Sequence, residues 1–410
     1  SRLTIHAPPS SERTILHSPS SSYKAIPSMN EAEVVARVRA FLQSAALPDA
    51  TAVQHLFTDA HPTLVDRGDL RPYQRVRLDL GSRAVHPDLV ARMSDGERLL
   101  AVEAKGAGDL LKGTTQAELY QAGFQYSLLA APADRIGSTL ESLARRKNIG
   151  LLAVGDDVTP VAWPRARQPW QDIYQSVRRQ LDTGVQAEAW STFPYNLPTH
   201  YLAWTLALEP GVTYHRDRIR EAITSYEAMP KDEQAALRGA ATLGLVTIRG
   251  DAARLTSTGA AVGRIIDTSP ADWSRVHRRA IHATLADVAP RAAAALRIVL
   301  HQEPMIRLVV RGLRELEDQR GSMPELVRAC DALDHDRTPI LFFHPERVTE
   351  ITTTDGRIRW PEVGGIHFRS TTHYQAKSIL KHAGILEDTG LGAASAKEYV
   401  PEEDLWALRG

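Results

Sequence analysis

The chain has 410 residues, of which 43% are hydrophobic and 24% are charged, a composition typical of a globular protein with two or three domains. Its 49 basic and 49 acidic residues balance, which excludes a uniformly basic nucleic-acid-binding coat but leaves local basic patches open. The single cysteine, Cys330, excludes a disulfide framework and a cysteine-based zinc site, and it favours a reducing compartment.

Changes in composition and periodicity divide the chain into five segments. They are an arm over 1–29, an α/β domain over 30–185, a helical unit over 199–268, a helical connector over 269–302 and a final unit over 303–410. The arm is rich in serine and proline and has no apolar signal-peptide core. No apolar run in the chain approaches a membrane span, so we expect a cytoplasmic protein.

The α/β domain begins at Asn30, a candidate N-cap, after which the apolar period from Val34 to Leu42 predicts a helix. The next predicted elements are a strand over 73–80, a hairpin over 88–105, helices over 115–129 and 136–147, a buried strand over 150–154, and a helix over 170–181 that leads to a loose segment near 186–198. This order of elements predicts a mixed sheet with helices packed against it.

The hairpin carries the strongest chemical signal. Asp95-Gly96 is a turn pair between two apolar runs. If the turn is centred on this pair, Asp88 and Glu103 lie equally far from it and face each other across two antiparallel strands. Lys105 follows Glu103 by two residues and therefore points to the same face. The pattern predicts two metal-binding carboxylates beside one ammonium group.

Such a site suits phosphodiester hydrolysis by magnesium, with manganese as a possible substitute. Magnesium prefers oxygen ligands, which Asp88, Glu103 and the carbonyl group of Ala104 would supply. The metal would activate water and neutralise the phosphate, while Lys105 would position or deprotonate the water and stabilise the transition state. An ordinary salt bridge on a surface hairpin is the alternative, but it explains poorly why these residues end a fully apolar strand.

The motif Pro87-Asp88…Glu103-Ala104-Lys105 resembles that of the PD-(D/E)xK nuclease superfamily. The segment NEAEVVARVRAFL, followed by a strand and HPDLV, is similar to the N-terminal nuclease module of type I restriction enzymes. Holliday-junction resolvases are similar as well. The resemblance covers about residues 30–165 and implies a restriction-endonuclease-like core acting on double-stranded DNA. No G-x-x-x-x-G-K-[ST] segment occurs, so we expect no DNA translocation.

The resemblance also implies further site residues. In the superfamily a glutamate on the first helix often reaches the metal site, and Glu31 is our candidate because it shares the buried helical face, whereas Glu33 projects away. The alternative for Glu31 is a simple interaction with the helix dipole. Gln116 and Tyr120 match a QxxxY motif and lie on one helical face. Gln116 would bind a DNA phosphate or orient the lysine, and Tyr120 would support it.

The unit over 199–268 reads as three helices, a short hairpin and a closing helix. The predicted helices are Tyr201–Leu208, Arg216–Ser225, Lys231–Leu243 and Thr258–Ile266. Three helices followed by a hairpin is the winged-helix layout, and LGLVTIRGDAARLTSTGAAVGRII resembles the end of bacterial winged-helix modules. The candidate DNA contacts are Lys231, Gln234 and Arg238 on the recognition helix and Arg249 and Arg254 in the wing. Docking of a partner protein is the alternative.

The final unit has a similar plan and predicts a second winged-helix-like domain. Its helices are Met305–Leu316, Pro324–Leu333 and Thr372–His382, with an insert over 334–370 and a hairpin from Gly384–Leu386 to Tyr399-Val400. The candidate DNA contacts here are Arg369, Gln375, Lys377 and Lys381.

Together these patterns predict a magnesium-dependent DNA endonuclease fused to mainly helical DNA-binding domains. A bacterial restriction or anti-phage setting, with partner proteins of a defence system, follows by analogy. Cleavage of both strands favours a homodimer. The alternatives are a structure-specific repair or recombination nuclease, and a DNA-binding regulator whose nuclease fold is only a scaffold. The intact set Asp88, Glu103 and Lys105 counts against the regulator.

Overall fold

The computed structural model describes residues 29–44, 47–48, 51–191, 193, 195–226, 232–390, 392 and 397–410. The predicted arm therefore lies outside the described residues except for Met29. The first part of the chain is an α/β unit on a mixed sheet, and the remainder is mainly helical. Within the described ranges, every helix is too short or too polar to cross a bilayer.

The α/β unit extends to residue 191. Its helices are α1 (Glu31–Ser44), α2 (Pro62–Val65), α3 (Leu110–Tyr120), α4 (Ser138–Lys147) and α5 (Gln171–Ser191). Its strands are β1 (Val53–Thr58), β2 (Leu78–Asp79), β3 (Ala84–Val85), β4 (Leu89–Met93), β5 (Leu99–Ala104), β6 (Tyr126–Pro132), β7 (Gly150–Val154) and β8 (Val158–Ala162).

The main sheet has six strands in the order β1-β4-β5-β6-β7-β8. The neighbours β5, β6 and β7 are parallel, whereas β1, β4 and β8 pair antiparallel with their neighbours. Helix α1 covers one face, where Val34 and Val102 share a core, and helices α3 and α5 cover the other, where Ala101, Tyr120 and Val177 share a second core. The predicted mixed sheet is thus confirmed, and the carboxyl ends of β5, β6 and β7 meet at one edge.

The structure corrects several predicted elements. The helix predicted over 115–129 ends at Tyr120, and the apolar run Tyr126–Pro132 forms a buried parallel strand, because periodicity alone does not separate such a strand from a buried helix. The strand predicted over 73–80 is reduced to β2 and a single bridge at Tyr73. The loose segment predicted from 186 is helical to Ser191.

The unit over 199–268 matches its predicted elements within two residues. It contains α6 (Thr199–Ala207), β9 (Thr213–His215), α7 (Arg216–Ile223), α8 (Glu233–Thr242), β10 (Val246–Arg249), β11 (Ala252–Leu255) and α9 (Ser257–Ile266). The hairpin β10–β11 gains a third strand, β9, which lies next to β11 and was too short to predict. The result is a small three-stranded sheet against three helices.

The rest of the chain is helical with one short two-stranded sheet. Its elements are α10 (Pro270–Ala280), α11 (Leu285–Val288), α12 (Pro290–Leu300), α13 (Pro304–Arg314), β12 (Arg320–Ser322), α14 (Met323–Leu333), α15 (Thr338–Phe342), α16 (Val348–Ile351), α17 (Ser370–His382) and β13 (Leu405–Ala407). The predicted hairpin to Tyr399-Val400 is wrong, because Leu386 instead bridges Leu408 and β13 pairs with β12.

If the insert over 334–370, which contains α15 and α16, is left out, the order helix, strand, helix, helix and two extended arms occurs twice, in 199–268 and in 304–408. In each copy the last arm lies between the other two, as β11 does in one and β13 in the other. Gly244 and Gly384 end the third helix of their copies at φ values of 67° and 68°, a conformation that favours glycine. The next residues, Leu245 and Ile385, are buried and donate back to the helix. The two copies share an order of elements but show no obvious repeat of residues.

The predicted insert docks the final unit onto the α/β unit. Arg77 Nη2 lies 2.9 Å from Asp336 Oδ1, and Arg77 also donates to the carbonyl of Asp355. Arg337 Nε donates to Thr183 Oγ1 at 3.0 Å. The insert therefore fills the space between α5 and the final unit.

A buried ion pair holds the C-terminal segment of the described chain. Lys377 Nζ on α17 lies 2.7 Å from Asp404 Oδ1, and both side chains are 2% exposed. Tyr399 donates to the other oxygen of Asp404 at 2.8 Å, and the Lys377 ammonium lies 5.7 Å from the Trp406 ring centre. Every charge here has a partner inside the core, so the pair ties β13 to α17.

We expect Lys377→Met to lower the free energy of unfolding by about 3–5 kcal/mol, because Asp404 would remain buried without its cation. The double variant Lys377→Met/Asp404→Leu should recover most of this loss. Urea unfolding followed by circular dichroism measures both effects. An unchanged unfolding midpoint in the single variant would show that Lys377 is not held in the core.

Candidate active site

Three acidic residues lie side by side where strands β1, β4 and β5 approach one edge of the sheet. Leu89 pairs with Val102, so Asp88 lies opposite Glu103, as the position of the turn predicts. Asp59 follows β1, and its amide donates to the carbonyl of Asp88 at 2.8 Å. Because directly paired residues point to one face, the three carboxyl groups share the face that α3 and α5 cover.

Lys105 joins this group from the end of β5. Its Nζ lies 2.5 Å from Glu103 Oε1 and 3.6 Å from Glu31 Oε2, and its side chain is only 12% exposed. Glu33, two residues further along α1, instead pairs with Arg37. The structure thus brings Glu31, and not Glu33, to the lysine.

Two glycines make room for this arrangement. A Cβ atom at Gly106 would lie 2.6 Å from the backbone nitrogen of Glu31, so the absence of a side chain lets α1 begin directly against the end of β5. A Cβ atom at Gly113 on α3 would lie 2.8 Å from Cγ of Lys105. Close backbone packing on both sides therefore fixes where the lysine runs.

Tyr120 connects α3 to the carboxylates. Its hydroxyl group donates to Glu103 Oε2 and lies 3.0 Å from the carbonyl oxygen of His86. Gln116 lies one turn earlier and is half-buried, and its Oε1 atom is buried without a hydrogen-bond partner in the described part of the chain. Tyr120 therefore reaches the site directly, and Gln116 offers an unused acceptor on the same side of the helix.

Negative charge exceeds positive charge in this group. Burial raises the pKa of Asp88 well above its usual value and the charge of Glu103 adds to the shift, although the Ala104 amide donates to Asp88 Oδ2 at 2.6 Å. Burial also raises the pKa of Glu103, which Lys105 and Tyr120 partly oppose. Burial disfavours the charge of Lys105, but Glu103, Asp88 and Glu31 outweigh it and raise the pKa of Lys105.

Sequence reasoning missed Asp59. Its carboxyl group is 5% exposed, its Oδ2 lies 3.4 Å from Arg75 Nη1, and its Oδ1 has no partner among the described residues. Burial raises the pKa of Asp59 to about 6. The segment Val53–Thr58, which directly precedes Asp59, was not predicted as a strand. Its recognition would have placed a third acid beside Asp88.

The donor set fits a magnesium ion only with water as a co-ligand. No group of three or more histidine, cysteine, aspartate or glutamate side chains in the described ranges is arranged to hold a metal. Magnesium in proteins usually takes one or two carboxylates and several waters, and Asp88 and Glu103 provide such a pair. Ala104 lies on the same strand, and its carbonyl group as a ligand stays a prediction.

The predicted DNA contacts of the unit over 199–268 are mostly at the surface. Arg238 on α8, Arg249 on β10 and Arg254 on β11 are exposed, and Gln234 is half-buried. Lys231 lies outside the described residues. The three arginines can therefore reach a phosphate or a base edge without rearrangement.

Two predicted contacts in the final unit are corrected. Arg369 is 6% exposed and donates to the carbonyl of Phe343 at 2.8 Å, and Lys377 is held by Asp404 in the core. Neither head group can reach DNA. Lys381 is half-buried and lies 3.2 Å from Asp388, and Gln375 is half-buried with an unpartnered Oε1 atom. Sequence periodicity placed Gln375, Lys377 and Lys381 on one helix but did not show that the segment carrying Asp404 covers Lys377.

Comparisons of the chain with protein-family models, with curated proteins and with solved structures found no match. The superfamily assignment therefore stays a prediction that depends on the motif and its resemblance.

We expect Gly106→Ala to lower the free energy of unfolding by about 1–3 kcal/mol, because the new methyl group meets the backbone at the start of α1. Gly68→Ala is the matched control, since its Cβ would meet no atom within 4 Å and its φ is ordinary. Urea unfolding compares the two variants. Equal midpoints would contradict the close packing of α1 on the strand end.

Proposed function

We propose that the protein is a metal-dependent DNA endonuclease of PD-(D/E)xK type, with magnesium as cofactor and manganese as a substitute. The observation that supports this most is the position of Asp88 directly opposite Glu103, with Lys105 2.5 Å from Glu103. A surface salt bridge would leave both carboxylates in water. Here burial raises the pKa of both groups, and the charge of Glu103 adds to the shift of Asp88, a situation that a bound divalent cation relieves.

The chemistry follows from this arrangement. A bound magnesium ion would supply Lewis acidity and an activated water molecule. Asp88 and Glu103 hold the cation, and Tyr120 fixes the orientation of Glu103 by donating to its second oxygen. Since its neighbours raise the pKa of Lys105, this side chain stays charged at neutral pH and stabilises the developing negative charge on the phosphate.

Glu31 and Gln116 have supporting parts in the proposal. Glu31 keeps the Lys105 ammonium at the strand end, 3.6 Å away. Gln116 donates to a phosphate through its amide nitrogen, while its buried Oε1 atom, which has no partner in the described structure, accepts from a water molecule. In the proposal, neither residue binds the metal ion in place of Asp88 or Glu103.

We propose that the unit over 199–268 has a winged-helix fold and positions the DNA. Its exposed arginines Arg238, Arg249 and Arg254 suit phosphate and base-edge contacts. We propose double-stranded DNA as substrate, and a homodimer as the form that cuts both strands. The restriction or anti-phage setting, the cytoplasmic location and the partner proteins of a defence system follow from analogy alone.

A DNA-binding regulator is the second candidate. It is favoured because the three arginines are exposed for DNA contact, whereas Glu103, which a nuclease would need at its active site, has a side chain that is only 2% exposed. A structure-specific repair nuclease would use the same catalytic residues and would differ only in its choice of branched DNA.

We expect about 10 mM magnesium to stabilise the protein by about 1.4 kcal/mol if its Kd is about 1 mM. Thermal unfolding in magnesium and in EDTA measures the shift. Asp88→Asn and Glu103→Gln should abolish it, while Glu97→Gln, near the hairpin turn, should retain it. A shift of equal size in all four proteins would place the ion elsewhere.

We expect wild-type protein with magnesium to nick or linearise supercoiled plasmid, and Lys105→Met to slow this about 10²–10³-fold because it removes the charge-stabilising group. Glu31→Gln should slow it too, whereas Glu33→Gln on the same helix should cut at the wild-type rate. Equal cutting by Lys105→Met and wild type would dismiss the site. Specific binding without cutting, on a panel that includes methylated and branched DNA, would favour the regulator.

A further inference from the structure

A second surface of the α/β unit combines exposed aromatic and cationic side chains. Two adjoining depressions lie at the C-terminal ends of α3 and α4, next to the segment that follows β8. We call this surface the tryptophan–arginine groove. It is defined by Arg83, Arg145, Trp163, Arg165, Arg167 and Trp170.

The groove lies at the sheet edge opposite Lys105. Arg167 N donates to the carbonyl of Gln125, just before β6 begins, whereas Lys105 follows the end of β5. Since β5 and β6 are parallel, the two locations are separated by about one strand length, about 20 Å for six residues. The groove is therefore separate from the carboxylate site.

Trp170 is a large aromatic side chain held open to solvent. The residue is 67% exposed. Its backbone is anchored, because its amide donates to the carbonyl of Ala122 at 2.9 Å and its carbonyl accepts from the amide of Tyr174 near the start of α5. A single exposed apolar side chain is common on protein surfaces. Trp170 differs in lining one depression together with Arg83 and Arg167, so an aromatic ring and cationic groups are available to one ligand.

Trp163 is the second aromatic side chain in the wall of the groove. It is half-buried, and its ring centre lies 6.1 Å from that of Tyr126. Its indole nitrogen is buried without a partner among the described residues, as are those of the core residues Trp190, Trp204 and Trp406, so Trp163 contributes apolar surface to the groove and not a free donor.

The charges of the groove are predominantly positive. Arg83 and Arg165 are exposed, and their guanidinium groups have no acceptor in the described structure. Arg167 donates to Gln121, and Arg145 pairs with Glu141 at 2.8 Å. The remaining carboxylate of the walls, Glu118, pairs with Lys147. The unpaired charge is therefore cationic and suits an anionic chain.

We propose that the tryptophan–arginine groove binds single-stranded nucleic acid, with a base stacked on Trp170 and phosphates on Arg83 and Arg165. A duplex hides the faces of its bases within the stack, whereas a single strand offers them to an aromatic side chain. The proposal holds whether or not the carboxylate site cuts DNA.

The test is fluorescence anisotropy of a labelled oligothymidylate of about 15 nucleotides with the full chain in EDTA, which prevents cleavage. Trp170→Ala should weaken binding about 5- to 150-fold, because the stacking of one base is removed. Trp170→Phe should keep most of the affinity. Leu111→Ala is the matched control, since this side chain is 65% exposed on α3 but lies toward the other end of the helix.

Salt dependence separates phosphate binding from a structural effect. Arg83→Gln/Arg165→Gln should reduce the slope of log affinity against log salt by about 0.7 for each phosphate that is no longer neutralised. Equal affinities of wild type, Trp170→Ala and Leu111→Ala would overturn the proposal. So would tighter binding of a duplex of the same length, or no binding of the oligonucleotide at low salt. Loss of plasmid cutting bears only on the carboxylate site.

Discussion

The antiparallel register of β4 and β5 is the constraint on which the rest of the site depends. The turn at Asp95-Gly96 sets this register, and Gly96 adopts the positive φ of 76° that the turn requires. A slip of one residue would turn Asp88 to the face that α1 covers and separate it from Glu103. Because β4 and β5 are buried among neighbouring strands, the core opposes such a slip, and the positions of Lys105 and Tyr120 follow.

The second feature that determines the properties of the candidate active site is an excess of negative charge among buried side chains. Asp59, Asp88 and Glu103 lie in a row; the ammonium group of Lys105 acts on Glu103 and Asp88, while Arg75 lies beside Asp59. In a purely structural role such a cluster would be unfavourable, since buried carboxylates need partners. Functional sites commonly retain such unfavourable charge because a ligand or substrate completes it. The same reasoning supports a cation at the carboxylates and an anion at the tryptophan–arginine groove.

The sequence allowed the hairpin to be predicted because turn chemistry and apolar strands agree there. The helices α8 and α9 were predictable for a similar reason, since the capping residues Asp232 and Thr256 lie where their helical periodicity begins. Strand β6 was not, because a parallel strand buried on both faces has no alternation. Asp59 was missed with β1, and Lys377 was misplaced because its burial depends on Asp404, which lies 27 residues away and is brought close only by the fold.

The central claim is that Asp88 and Glu103 hold one divalent cation between them. Anomalous diffraction from crystals soaked in manganese tests it most directly. The account predicts one peak about 2.1 Å from a carboxylate oxygen of each residue, with Lys105 beside it. Peaks only elsewhere, in crystals where both carboxylates are ordered, would contradict the account.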